Sequence, residues 1–266
     1  LDLWPESAIN AGGLKFKPII KWLQGRCNKI YRACDKILIS SKHFKERIVA
    51  QGHPAGKIFF WPQYAEDCYE RLTLPADDPI RGELPSGFKI VFTGNMGKSQ
   101  SLETVVEAAL ILRAYPDIHW ILIGDGRDKE KVEGLAEAAG VLDNVHFMGR
   151  KPMEMMSSYL AACDAALLIL KDDPLFNITL PAKVQSYMAC GTPILACMKG
   201  TSAETVAEAD CGVCAESVTG QGLADAAVKL YRMSPEARKT MGDNAIRYSH
   251  EHFSKSYLLD MLDKYM

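Results

Sequence analysis

Phe88-Lys89-Ile90-Val91-Phe92-Thr93-Gly94-Asn95-Met96-Gly97-Lys98, with the run 101–115 (SLETVVEAALILRAY) behind it, decides the fold. The first part is β-rich and stops at Gly94. The second carries apolar residues at helical spacing, with Ser101 as its candidate N-cap. The unit then repeats. Strand 120–123 ends in Gly124-Asp125-Gly126, and a helix over 129–139 stops at Gly140. Strand 145–148 ends in Gly149, a helix covers 153–162, and 165–170 is a wholly apolar strand. A helix over 182–190 closes at Gly191, 193–196 is a strand, and 202–209 a short helix. Residues 222–232, 235–252 and 255–265 read as closing helices. This alternation predicts an α/β fold, a Rossmann-like parallel sheet with helices on both faces, over 88–250. The segment 251–266 is expected to pack back toward the N-terminal region.

Upstream, 65–87 is polar, contains three prolines and has no sustained periodicity, as linkers do. Residues 1–64 read strand, basic helix, strand, helix, strand. Ile37-Leu38-Ile39-Ser40 is the central strand, Ser40 or Ser41 the cap of a helix over 42–51, and 58–61 the last strand. This is a partial second α/β domain, about half the size of a nucleotide-fold domain. The chain opens Leu1-Asp2-Leu3-Trp4-Pro5-Glu6, without a methionine and with no signal-peptide pattern, and these residues already look like the middle of a domain.

The chain has 266 residues, 48% hydrophobic, 24% charged and 9% aromatic. Those fractions exclude a disordered chain, a collagen-like repeat and a disulfide-dense miniprotein. A net charge of −2 provides no overall field for nucleic acid. The best apolar run, 165–170, falls far short of the ~18 residues that span a bilayer. Of eight cysteines only Cys211 and Cys214 form a CxxC, and no second pair or histidine pair completes a zinc set, so no metal is expected. His119 and His146 sit at strand starts and read as structural.

In an open parallel sheet, ligands bind beyond the carboxyl ends of the strands. Four such ends carry suggestive residues: Gly94-Asn95-Met96-Gly97-Lys98, Gly124-Asp125-Gly126-Arg127, Gly149-Arg150-Lys151, and Asn177-Ile178-Thr179-Leu180-Pro181-Ala182-Lys183. The last leads into a helix whose free amides attract phosphate, with Pro181 suited to its first turn. Each loop alone is also explained as a tight turn or surface charge. Their coincidence on one sheet edge points to a phosphate-bearing ligand, a nucleotide. The Gly-x-Gly-x-x-Gly fingerprint and a correctly spaced Walker lysine are both absent, so neither a dinucleotide cofactor nor a P-loop is expected.

Over 88–253 the chain resembles the donor-binding domain of family-4 glycosyltransferases of the GT-B fold. The segments 93–109, 120–136, 144–170 and 180–196 carry the resemblance in order and spacing. Asp2-Leu3-Trp4-Pro5-Glu6-Ser7 and Pro181-Ala182-Lys183 are similar to segments of bacterial members that make surface polysaccharides. The resemblance implies retaining transfer of a sugar from a nucleotide diphosphate sugar, UDP-linked in that subgroup, with no required cofactor or metal. It implies that Gly94, Asn95 and Gly97 border the diphosphate, and that Gly124, Asp125, Gly126 and Arg150 lie along the nucleotide. Ile178, Thr179, Leu180, Pro181 and Ala182 would hold diphosphate and sugar, and position 186 would face the ribose. Lys98 and Lys183 are the candidates for stabilising the leaving diphosphate. Many members have glutamates where this chain has Ile178 and Ser186, and a serine cannot hold two ribose hydroxyls as a carboxylate does. Many also have an arginine and a lysine where Asn95 and Gln100 stand.

Residues 15–36 hold seven basic side chains and one acid, interleaved with Phe16, Ile19, Ile20, Trp22, Leu23, Ile30 and Tyr31. They read equally as an ordinary amphipathic helix and as a contact for anionic lipid, worth ~1 kcal/mol per basic side chain near the surface. A lipid-linked acceptor, which the resemblance suggests, favours the second. The expected protein is a cytoplasmic glycosyltransferase, peripheral on the membrane if the second reading holds, acting on a saccharide or polyprenyl-linked acceptor. A nucleotide-sugar epimerase of the same fold would reveal itself by inversion of free sugar, and a non-catalytic module by donor binding without turnover. With its first domain half present, the chain is expected to bind donor and transfer poorly.

Overall fold

The computed structural model describes residues 3–10 and 13–265. Leu1 and Asp2, part of the opening segment read above, lie outside them. The strands are β1 (Ile37–Ile39), β2 (Ile58–Phe60), β3 (Phe88–Asn95), β4 (Ile118–Asp125), β5 (Val145–Gly149), β6 (Ala165–Ile169), β7 (Ile194–Cys197) and β8 (Gly212–Cys214). β3 to β8 form one parallel sheet in the order β5-β4-β3-β6-β7-β8, and β1 and β2 pair in parallel as a separate two-stranded sheet.

The larger sheet is buried on both faces, which is why its strands read as unbroken apolar runs. Ile90, Phe92, Trp120 and Leu122 point to one side, against helices Glu103–Ile111, Lys129–Ala139 and Gly220–Tyr231. Val91, Ile121, Ile123 and Leu168 point to the other, against Met156–Ala162, Ala182–Cys190 and Pro235–His252. Strand order reverses between β3 and β6, so their carboxyl ends splay apart and leave a crevice.

The smaller sheet is not independent of this core. Its cluster of Ile37, Ile39, Phe44, Ile48 and Ile58 includes Leu175 from the loop after β6. The hydroxyl of Ser41 donates to the carbonyl of Ile178, His43 bonds Thr201 at 2.7 Å, and Trp61 Nε1 donates to the carbonyl of Leu258 at 2.8 Å. The last of these comes from helix Lys255–Tyr265, whose Tyr265 ring stacks on Phe59 at 4.7 Å.

Several local expectations are corrected. No strand opens the described residues; a short helix, Glu6–Asn10, does. The carbonyl of Leu3 accepts from both the amide and the hydroxyl of Ser7, which closes a turn there instead. Ser41 does not cap its helix, because Ile178 takes its hydroxyl; the helix begins at Phe44 and ends at Ala50. Ser101 sits at a φ of 48° and makes no side-chain cap for Glu103–Ile111. The linker holds a helix, Pro79–Glu83, capped by Asp78 and anchored by buried Ile80 and Leu84. His119 and His146 form a pair 3.1 Å apart at the amino end of β4 and β5, where burial lowers both pKa values.

The glycine at the end of β4 serves chain packing. Gly94 pairs with Gly124 across the ladder, and a Cβ on Gly124 would lie 1.8 Å from the Gly94 carbonyl oxygen. Its φ of +142° adds strain for any other residue. Gly124→Ala is expected to destabilise the protein by about 2–4 kcal/mol. Gly134→Ala, in an open stretch of helix Lys129–Ala139 with nothing within 4 Å, should stabilise it by roughly 0.5–1 kcal/mol. Urea denaturation of the two variants checks both signs; equal, small effects would mean that the two strand ends are not in contact.

Candidate functional site

A cavity of about 430 Å³ opens at the carboxyl ends of β3 and β4, at the point where strand order reverses. Gly94, Asn95, Gly124, Asp125, Arg150, Ala182, Lys183 and Ser186 line it. So do Gln63, Tyr64, Glu66 and Tyr69 from the segment that follows β2, together with Thr93, Ile123, Lys151, Met153 and Met156.

Lys183 is the centre of this site. It lies in the first turn of Ala182–Cys190, a helix that no side chain caps. Two contacts set its position. Tyr187, one turn on and fully buried, accepts the amide of Thr93 at 3.1 Å and meets the Thr93 hydroxyl at 3.2 Å, which binds this helix to β3. Gly94 then leaves room for the lysine stem: a Cβ there would stand 2.9 Å from Lys183 Cε. The ammonium rests 3.8 Å from the centre of the Phe92 ring. The ring face favours a cation. Burial away from water opposes it and dominates, pulling the amine down to about 7. Among the described residues no acid pairs with it. Lys183 is therefore a desolvated amine beside helix-start amides, with its charge uncompensated. That arrangement attracts an anion.

The other cations differ. Lys151 is committed: its Nζ lies 2.7 Å from Glu83 Oε2, which also accepts the Tyr159 hydroxyl at 2.7 Å. These bonds, that to Lys151 first, hold the Glu83 carboxyl below its usual range and fasten helix Pro79–Glu83 to the sheet. Arg150 lines the cavity and has no ion pair among the described residues. Lys98 is exposed and is not part of the cavity wall.

The remaining sequence candidates divide by what holds them. Gly97 turns its amide to the Gln100 side chain, and Gly126 packs on the backbone of Met96. Neither lines the cavity. Ile178 and Thr179 give their carbonyls to Ser41 and Ser202, Leu180 is buried in the core, and Pro181 precedes the helix. This loop joins the two sheets and sets where the helix starts, while Ala182 and Lys183 reach the cavity. Asp125 lines the wall but accepts the amide of Gly126 at 2.8 Å. Ser186 lines it with its hydroxyl donated to the carbonyl of Ala182 at 3.2 Å.

Sequence reasoning missed the wall formed by 63–69, since nothing local distinguishes these residues from any polar connection. Thr93 was detectable as the polar residue ending an apolar run. Among the described residues no group of three or more histidine, cysteine or acidic side chains is placed to hold a metal ion.

A model of the family described as "Glycosyl transferases group 1" matches residues 77–248. The chain is 29% identical over 161 residues to the putative colanic acid biosynthesis glycosyl transferase WcaI of Escherichia coli K12, covering 59% of this chain and 39% of the relative. It is 28% identical over 204 residues to the probable glycosyltransferase WbjE of Pseudomonas aeruginosa, covering 74% and 50%. The chain thus spans half or less of the length of these relatives. Its fold is that of Anabaena Alr3699/HepE, solved in complex with UDP, with a TM-score of 0.76 at 17% identity over 89% of this chain and 65% of that one. WaaG, a glycosyltransferase involved in lipopolysaccharide biosynthesis, superposes with a TM-score of 0.68 at 19% identity, covering 87% and 62%. With the family model covering well over half of its length, from the linker helix into helix Pro235–His252, the chain belongs to the group 1 glycosyl transferases.

Proposed function

We propose that the chain carries the donor site of a retaining family-4 enzyme that takes a sugar from a nucleotide diphosphate sugar. The observation that carries this reading is the unpaired, desolvated Lys183 at an uncapped helix start, in a crevice at the reversal of strand order. A diphosphate supplies the charge this amine lacks. As the sugar–oxygen bond breaks, negative charge grows on that diphosphate, and Lys183 with the first amides of Ala182–Cys190 stabilises it. Arg150, which also lines the cavity, adds positive charge along the nucleotide. The acceptor approaches from the side of the smaller sheet, to which residues 1–64 belong. Residues 65–87 are the connection and 88–250 the donor domain. A UDP-linked donor accords with the UDP complex of the HepE fold relative.

One relative is named for colanic acid biosynthesis, which accords with a saccharide or polyprenyl-linked acceptor in surface-polysaccharide synthesis. Helix Lys17–Ala33 suits such an acceptor. It carries five basic residues and no acid, and none of its residues is buried. Ile19 (44% exposed), Trp22 (63%) and Ile30 (59%) form a stripe along it, with Phe16 (59%) just ahead. We assign this face to an anionic lipid surface and propose a peripheral location on the cytoplasmic side of the membrane; among the described residues no helix is long and apolar enough to cross it.

Two measurements test the two parts. Lys183→Met keeps the stem on Phe92 and removes the charge. It should raise the Kd for UDP roughly 10–100-fold by calorimetry, and an unchanged Kd would remove Lys183 from the donor site. Vesicles containing phosphatidylglycerol should sediment the protein, neutral phosphatidylcholine vesicles should not, and Trp22→Ala with Ile30→Ala should abolish the difference. Equal sedimentation with both lipids would sink the membrane assignment.

A further inference from the structure

A second cavity, of about 220 Å³, shares no lining residue with the donor site. It lies where the carboxyl ends of β1 and β2 meet the helices of the larger unit. Lys42 comes from just beyond β1, and Phe60 and Pro62 from the end of β2. Leu180, Tyr248, Phe253 and Tyr257 face them from the larger unit, together with Thr201 and Thr205.

The rings converge for local reasons. Tyr248 stacks on His252, one turn on, with centroids 4.2 Å apart, and meets Phe253 edge-on at 5.6 Å. Phe253 is buried and ends helix Pro235–His252. Helix Lys255–Tyr265 follows, tied by the carbonyl of Leu258 to Trp61 beside Phe60, and it brings Tyr257 to the cavity.

Most polar atoms in this lining are already committed. Thr205 donates its hydroxyl to the carbonyl of Thr201 at 2.7 Å, the Thr201 hydroxyl bonds His43 at 2.7 Å, and Glu208 engages the Tyr248 hydroxyl. A held water needs about two to four polar partners, so an apolar body suits this space better. An engineered cavity of about 150 Å³ takes benzene; this one has room for one ring with a small substituent. The exception to its apolar character is Lys42. Its Nζ stands 5.7 Å from the centre of the Phe60 ring, and among the described residues it takes no hydrogen bond or ion pair. Aromatic walls alone would favour a cation. The ammonium repels one and attracts an anion.

We propose that this cavity binds a small organic acid, with a ring-sized apolar body among Phe60, Tyr248 and Tyr257 and a carboxylate on Lys42. Its walls come from both the smaller sheet and the larger unit, so an occupant joins the two, beside the loop 178–181 that sets the start of helix Ala182–Cys190. The proposal is independent of the donor reading.

The test titrates phenylacetate, its neutral amide phenylacetamide, and acetate into the protein by NMR. Phenylacetate should bind saturably, and phenylacetamide about fivefold more weakly, the upper end for an ion pair open to solvent. Acetate, which lacks the apolar body, should not saturate. Lys42→Met should erase the preference for phenylacetate over its amide, and Tyr257→Ala should weaken both. Saturating UDP should displace neither. The proposal is overturned if phenylacetate does not bind, if acetate binds as tightly, if Lys42→Met keeps the preference, or if Tyr257→Ala changes nothing. Displacement of phenylacetate by UDP would put the acid in the donor cavity and overturn it as well.

Discussion

A half-buried lysine without an acid is unfavourable, and the site is organised around that one residue. The Lys183 side chain lies over Phe92 and against Gly94, with its amine at the edge of the cavity. Its position depends on the helix it starts, which depends on Tyr187 gripping Thr93. The helix start depends in turn on the loop 178–181, whose carbonyls are held by Ser41 and Ser202. A chain of contacts thus runs from the smaller sheet to the amine. The two sheets are joined at the place where the proposed diphosphate would sit.

This explains the division of labour among the glycines. Gly94 and Gly124 look in sequence like openings through which backbone meets ligand. In the structure Gly124 makes room for the backbone of Gly94, and Gly94 makes room for a side chain. The pattern after each strand is real, but its immediate cause is packing. The ligand chemistry enters one step later, through the lysine that the missing side chain admits.

The strand–helix alternation was legible because each central strand is buried on both faces, which leaves a long apolar run, and each helix is amphipathic. Those are local signatures of a global arrangement. Caps were less legible. Ser41 and Ser101 satisfy every local preference for an N-cap, yet a tertiary acceptor claims one hydroxyl and a left-handed φ excludes the other. The basic, half-apolar character of Lys17–Ala33 was also plain in sequence, since none of its residues is buried to disguise the pattern. The segment 63–69 was invisible for the opposite reason: its residues acquire meaning only when Ser157, Lys255 and Tyr187 arrive from elsewhere in the chain.

The central claim is that Lys183, its amine pulled down to about 7 by burial, takes up a proton when a diphosphate binds beside it. With its amine near 7 when empty, it is mostly unprotonated at pH 8, and an anion beside it must raise its pKa. Affinity for the diphosphate should accordingly fall as pH climbs above 7. The most direct measurement is the number of protons taken up when UDP binds at pH 8, from calorimetry in two buffers of different ionisation enthalpy. The account predicts uptake of close to one proton by the unaltered protein and none by Lys183→Met. Binding of UDP with no proton uptake by the unaltered protein would contradict it.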